Sequence, residues 1–304
     1  MTYDPDIIER FKECLHRDGA AGTVETWMTV WHWKELAPQF GDSQSFLGAV
    51  ELVNWLLGQS TCRRYFNELN VDRIDALAAM ASATDRKILS APIFSDFLDR
   101  IKRIDFANYG IYSAQDYFFQ TIVPFASGEG IEHVLDFGAG SGRQFCLWSK
   151  HDGLKTFISV DGLPQTYGIQ HTYYSQFDVK YREYVAEDPD FELDFGKELT
   201  LNHIPTWAIP KIPSASIDLV VAVQVLGELR PTLFHWLMGQ FSRVMRPGGR
   251  LYIRDHGMVH CPNRINIPEA LINSGFILEY EPYFRDMKQI HGIPKLWRKP
   301  YNTP

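Results

Sequence analysis

The sequence predicts an α/β protein in which an all-helical N-terminal domain precedes a doubly wound, mainly parallel sheet. Three observations predict it. Residues 4 to about 108 carry apolar positions at helical spacing and show no period-two alternation. Beyond Tyr109, short β-rich runs alternate with helical stretches, the pattern of a parallel sheet covered by helices on both faces. One of those runs enters a glycine-rich loop that opens a helix. At 304 residues the chain is long enough for about two domains, and the change of texture sets them at 1–108 and 109–304.

In the front domain, Asp4-Pro5 reads as N-cap and first helical position, with Ile7, Ile8, Phe11 and Leu15 on one face until Asp18-Gly19. Val24, Trp27, Met28 and Trp31 give a second helix over 23–37, closed by Pro38. Its aromatic stripe, with Trp33, reads first as core and second as a pocket lining. Residues 45–57 are apolar almost all round, a buried helix ended by Gly58. Helices over 70–81 and through Phe94, Phe97, Leu98 and Ile101 follow. In the rear domain a helix through Tyr117, Phe118 and Ile122 leads to the turn at 127–130. Strands are expected at 133–137, 156–161, 199–204, 217–225, 250–254 and 276–280, with helices starting near Ser141, Pro164 and Pro231. Ligands of such sheets bind outside the carboxyl ends of the strands, where strand order reverses.

Composition excludes several classes. A chain that is 45% hydrophobic and 22% charged buries a core rather than staying disordered. Thirty Lys+Arg against 37 Asp+Glu leave a net charge of −7, which disfavours general binding to nucleic acid or to an anionic membrane. Cys14, Cys62, Cys146 and Cys261 lie far apart, so neither a disulfide framework nor a zinc site is expected. No apolar run approaches the roughly 18 residues of a spanning helix, and MTYDPDIIERF carries no secretory pattern. The expectation is a soluble, cytoplasmic protein.

The sharpest motif is Val134-Leu135-Asp136-Phe137-Gly138-Ala139-Gly140-Ser141-Gly142-Arg143. Gly138 and Gly140 permit a tight turn and close approach of a ligand to the backbone. A dinucleotide fingerprint would place its third glycine at 143, where Arg143 stands. Asp136, two residues before the first glycine, suits a cationic ammonium better than a pyrophosphate. By itself the loop also admits a structural role or another nucleotide. Asp161 ends the next strand; it reads as an acceptor for both ribose hydroxyls or as a helix N-cap.

Together with Ile217–Leu226 and the Arg246-Pro247-Gly248-Gly249-Arg250 stretch, these segments resemble the class I S-adenosylmethionine-dependent methyltransferases over roughly residues 110–285. The resemblance implies a Rossmann-like fold and S-adenosyl-L-methionine as co-substrate. It implies a cofactor site at Asp136, Gly138, Ala139, Gly140, Gly142, Asp161, Gly162, Leu163, Trp207 and Gln224. Asp161-Gly162-Leu163-Pro164, the 169–176 stretch and Val225-Leu226-Gly227-Glu228-Leu229 further resemble sugar O-methyltransferases, from which the chain departs at Gly162, Val225 and Leu229. The acceptor implied is a hydroxyl of a sugar, glycoside or sugar-like small molecule.

An alcohol must lose a proton as it is methylated, and a base contributes about 10²–10⁴-fold. Arg254-Asp255-His256 follows one strand and Glu228 another. His256 is the first candidate, because its ordinary pKa lies near working pH; a loop histidine bonded to backbone is the alternative. Asp255 orients His256, acts as base, or pairs with Arg254. Glu228 binds a substrate hydroxyl or caps the helix near Pro231. His171 and Tyr174 read as packing groups, and His260-Cys261 does not make a metal pair. Other readings are an amine or carboxylate methyltransferase, and a catalytically silent cofactor binder. The helical front end is expected to form a lid over the acceptor or a homodimer contact.

Overall fold

The computed structural model describes residues 4, 6–19, 48–59, 71–127, 130–187, 189–255, 265–282 and 292–301. Its centre is an eight-stranded sheet of β1 (His133–Phe137), β2 (Thr156–Asp161), β3 (Lys180–Glu183), β4 (Thr200–Pro205), β5 (Ile217–Val223), β6 (Met245–Asp255), β7 (Ile277–Tyr280) and β8 (Ile293–Arg298). The spatial order is β3-β4-β2-β1-β5-β6-β8-β7. From β3 to β6 all neighbours are parallel, and β8 runs antiparallel to both β6 and β7. The inner strands are apolar because both faces are covered: every residue of β2 and β4 is buried. Strand order reverses at β1, which pairs β2 on one side and β5 on the other. The carboxyl ends of these three strands therefore frame the crevice where this fold takes ligands.

The described helices of the front region are α1 (Ile7–Arg17), α2 (Gly48–Gln59) and α3 (Val71–Ile88), joined to the sheet by α4 (Phe106–Ser127). A 3₁₀ segment (Pro92–Phe97) and a single helical turn (Leu98–Ile101) stand between α3 and α4. The later helices are α5 (Phe145–Trp148), α6 (Pro164–Tyr174), α7 (Pro231–Val244) and α8 (Ile267–Asn273), with a further single helical turn at Tyr184–Glu187. α1 buries Ile7, Ile8, Phe11, Cys14 and Leu15, each larger side chain worth about 1.5–3 kcal/mol of transfer free energy. Its Phe11 ring meets Tyr167 of α6 at 4.8 Å and Trp207 at 4.9 Å. α6 has no polar face because it lies between layers, and Thr166 to Tyr174 are all buried. α2 crosses it closely at Gly48, where a Cβ would stand 2.1 Å from Thr172 Oγ1.

One hydrophobic cluster runs from Ile7 to Trp297. The boundary expected at 108 falls inside α4, so the front helices and the sheet share a core. Several local expectations need correction. α5 starts at Phe145 rather than near Ser141, and Gly58 lies within the last turn of α2. The residue before α1 is Asp6, with no side-chain cap, while Asp4 Oδ1 accepts from the Asp6 N–H at 2.9 Å. The Pro247-Gly248-Gly249 stretch is an irregularity within β6, where the register against β5 jumps. The sequence patterns did not predict β3 or β8. The helix expected over 23–37 with its three tryptophans, Cys62, His256 and His260-Cys261 lie outside the described residues.

Candidate active site

β1 delivers Asp136 to its carboxyl end, 2% exposed, and the chain then turns through the glycine loop. Gly138, Gly140 and Gly142 all have positive φ, at 68°, 60° and 77°. At Gly138 the need for glycine is also steric, since a Cβ would stand 2.5 Å from Val225 Cγ2. The Gly138 and Ala139 N–H groups donate to Val160 O of β2, at 2.9 and 3.3 Å. Ala139 O accepts from Gly142 N–H at 2.9 Å, which folds the loop back on itself. Among the described residues, buried Asp136 Oδ2 has no hydrogen-bond partner. Burial pushes this carboxyl up to about 8; Arg143 opposes the shift, and Asp116 and Asp161 add to it.

Asp161 lies beside the loop at the end of β2. Its Oδ1 accepts from Gly162 N–H (2.8 Å), Leu163 N–H (3.1 Å) and Thr166 Oγ1 (2.6 Å), so it organises the first turn of α6. Its Oδ2 accepts from Gly140 N–H at 3.3 Å and Gln170 Nε2 at 2.8 Å. Burial raises its pKa against these donors. Trp207, after β4, donates its indole N–H to Asp18 Oδ2 at 2.9 Å, so the C-terminal end of α1 lies across this edge of the crevice. Gln224, after β5, holds a positive φ of 54°, and its N–H donates to Arg254 O at 2.8 Å. Such a backbone in a non-glycine residue is a strained feature beside a ligand crevice.

The third side of the crevice was not read from the sequence. Asp116 of α4 is 1% exposed and accepts from Arg254 Nε (2.6 Å), Arg254 Nη2 (3.0 Å), Tyr252 Oη (2.8 Å) and Gln144 Nε2 (3.2 Å). Burial alone would raise its pKa, but Arg254, helped by Arg143 and Tyr252, outweighs burial and holds the carboxyl below its ordinary value. Arg254 thus pairs with Asp116, 138 residues away. Arg143 lies 4.0 Å from Asp116 and 3.4 Å from Gln59 Oε1 of α2. Arg143 and Arg254 each lie 5.5 Å from the Tyr112 ring centre. The Trp55 ring of α2 reaches the loop, its Cζ2 3.6 Å from where a Cβ at Gly140 would stand. The one sequence signal for this wall is a lone acid within the apolar α4.

Asp255 ends β6, and Glu228 follows β5. Asp255 Oδ2 accepts from Gly227 N–H at 2.9 Å, in the 3₁₀ turn Leu226–Glu228 that also carries Glu228. Both carboxylates are half-buried. No group of three or more His, Cys, Asp and Glu placed to hold a metal occurs among the described residues. No described helix is long and apolar enough to cross a membrane.

A parallel sheet with a glycine loop at its switch point and flanking acids after β1 and β2 defines a nucleotide- or cofactor-binding α/β enzyme class. The profile described as a methyltransferase domain matches residues 110–285, more than half of the chain, and the chain belongs to that family. The methyl donor that the sequence resemblance implies is S-adenosylmethionine. Asp136 and the loop fit that donor, because the buried acceptor without a partner matches a cationic ammonium and the glycines leave room at the backbone. Among curated relatives, the tRNA N(3)-cytidine methyltransferases METTL6 of Homo sapiens and Pongo abelii are 24% identical over 86 residues, 28% of this chain and 30% of theirs. The chain therefore matches under a third of those proteins' length. Among solved structures, the N-methyltransferase NodS of Bradyrhizobium japonicum with S-adenosyl-L-homocysteine has a TM-score of 0.44 at 12% identity, covering 73% of this chain and 98% of that one. A Burkholderia thailandensis 1,6-didemethyltoxoflavin N1-methyltransferase gives 0.42 at 16% identity, covering 68% and 86%.

Proposed function

We propose that the protein methylates a hydroxyl of a sugar or sugar-like small molecule. Asp136 binds the donor's ammonium and the loop from Gly138 to Gly142 lines it, while Asp161, both of whose oxygens are taken by protein donors, holds that loop to the first turn of α6. Gly162, Leu163, Trp207 and Gln224 border the same cleft. The donor supplies an activated methyl group, so the protein's share is positioning, exclusion of water and proton removal. The observation that supports an alcohol acceptor is the Asp255 carboxylate at the end of β6 bonded to the Gly227 N–H of the turn after β5 that carries Glu228. The net charge of −7 favours a small acceptor over a polyanionic one.

In this reading His256, directly after Asp255, takes the hydroxyl proton. Asp255, anchored by the Gly227 N–H, fixes the strand end from which His256 departs. Glu228 binds an acceptor hydroxyl. The front helices, with Trp55 and Gln59 of α2 already at the loop, form the lid that keeps water out. The test is a panel of sugar nucleotides and glycosides assayed with labelled S-adenosylmethionine. On the acceptor so found, His256→Ala should lower kcat by about 10²-fold or more while leaving S-adenosylhomocysteine affinity near wild type. Unchanged kcat would pass the base role to Glu228 or Asp255.

A further inference from the structure

Arg143 stands where a dinucleotide loop would carry its third glycine, and it brings a second cation to the wall that Asp116 and Arg254 form. Its side chain is 14% exposed. Asp116 cannot satisfy it. Asp116 Oδ1 accepts from Arg254 Nε and Tyr252 Oη, and Oδ2 accepts from Arg254 Nη2 and Gln144 Nε2. A carboxylate oxygen has about two acceptor positions, so none is left. Arg143 Nη2 accordingly stops 4.0 Å from Oδ2, beyond hydrogen-bond length. Among the described residues the guanidinium makes one hydrogen bond, from Nη1 to Gln59 Oε1 at 3.4 Å. A guanidinium offers five N–H donors, so most of them are unspent.

This cation lies on the crevice side of the loop. Trp55 and Gln59 are one helical turn apart on α2 and share a face. Trp55 reaches Gly140 and Gln59 reaches Arg143, so that face runs along the loop over both positions. Arg143 is also the charge that opposes the upward pull of burial on Asp136. The two groups feel each other, yet buried Asp136 Oδ2 has no hydrogen-bond partner among the described residues. Tyr112, its ring centre 5.5 Å from the guanidinium carbon, steadies the cation without using an N–H. The crevice thus presents one unspent cation and one unspent acid. That is the complement of an ammonium and a carboxylate carried on a single carbon.

We propose that Arg143 binds the carboxylate at the donor's amino-acid end, beside the ammonium that Asp136 takes. The inference rests on the reading that Asp136 holds that ammonium. A guanidinium fork meets a carboxylate with two parallel N–H bonds, which fixes orientation as well as adding affinity. The carboxylate also cancels the surplus charge of the wall, where two guanidiniums share the single carboxylate of Asp116. Asp116 and Arg254 need not move, since neither gives up a bond. Gln59 of α2 touches the same guanidinium, so the lid helix and the donor's amino-acid end meet at Arg143.

Calorimetric titration of the full chain tests this, with three probes and a melting curve for each variant. S-adenosylhomocysteine carries both charges, its decarboxylated analogue S-adenosyl-3-thiopropylamine only the ammonium, and 5′-methylthioadenosine neither. Arg143→Met should weaken S-adenosylhomocysteine about 10-fold or more, the scale of one hydrogen bond to a charged group. It should weaken the amine far less, so the preference for S-adenosylhomocysteine over the amine collapses. Arg143→Lys keeps the charge beside Asp136 but loses the fork. It should cost S-adenosylhomocysteine about 3-fold and spare the amine, and it decides the matter if Arg143→Met fails to fold. Equal losses for these two ligands would reduce Arg143 to a counter-charge for Asp136 and overturn the proposal, as would wild-type affinities in both variants. Asp136→Asn separates the two levels. It should weaken S-adenosylhomocysteine and the amine while sparing 5′-methylthioadenosine. If all three ligands respond alike to it, the ammonium reading falls and takes the proposal with it. If it gives the expected pattern while both Arg143 variants treat S-adenosylhomocysteine and the amine alike, the ammonium reading stands and only the carboxylate role falls.

Discussion

Asp136 is buried with Oδ2 facing no donor among the described residues, and burial has pushed its carboxyl up to about 8. At neutral pH it is therefore largely protonated until a cation arrives. Pairing with an ammonium requires the ionised form, so binding should release a proton below about pH 8, and affinity should climb with pH to about that point. Titrations of S-adenosylhomocysteine in buffers of different ionisation enthalpy should reveal the released proton. Asp136→Asn should abolish it and weaken binding about 10-fold or more, the cost of losing a charged hydrogen-bond partner. This residue was legible in the sequence because its position before Gly138 is a local pattern. Asp116 was not, since its partner Arg254 is 138 residues distant and no local spacing reports that distance.

At the scale of elements, α4 is fastened to β6 by charge as well as by packing. Asp116→Ala would leave the Arg254 guanidinium buried without its carboxylate, a defect that costs about 3–5 kcal/mol. Urea unfolding should register a loss of that size, and a loss under about 1 kcal/mol would show that the pair adds little. β1 and β2 were read to the residue because they are unbroken apolar runs bounded by loop residues. β3 was missed because Lys180–Glu183 is four residues long and polar at an edge of the sheet. β8 was missed because Pro294 and two cations interrupt it. Pro294 is tolerated there since β7 extends only as far as the partner of Leu296, leaving β6 alone beside position 294.

For the molecule as a whole, Asp85, Asp136 and Glu183 are all buried carboxyls raised by burial, to about 7, 8 and 7. Between about pH 4 and pH 7–8 the folded chain holds protons on them that the unfolded chain has lost. More protons on the folded side means stability falls as pH rises through that window. Below about pH 6.5 the buried His171 and His203, whose pKa values burial lowers, act in the opposite sense. The melting temperature of the protein alone should therefore drop by roughly 5 °C from about pH 6.5 to about pH 8, and S-adenosylhomocysteine should offset part of the fall. A flat profile would show that these carboxyls are not shifted together. The placement of α1 has a different consequence, for the order in which the chain can be assembled during synthesis. Asp4 meets His171 across 167 residues, and Asp18 meets Trp207 across 189. A ribosome making the chain releases α1 long before either partner exists, so this helix waits undocked while the sheet forms. Pulse-labelled hydrogen exchange during refolding should find α1 amides protected after those of β1 and β2. A helix made before the sheet would then join the fold after it.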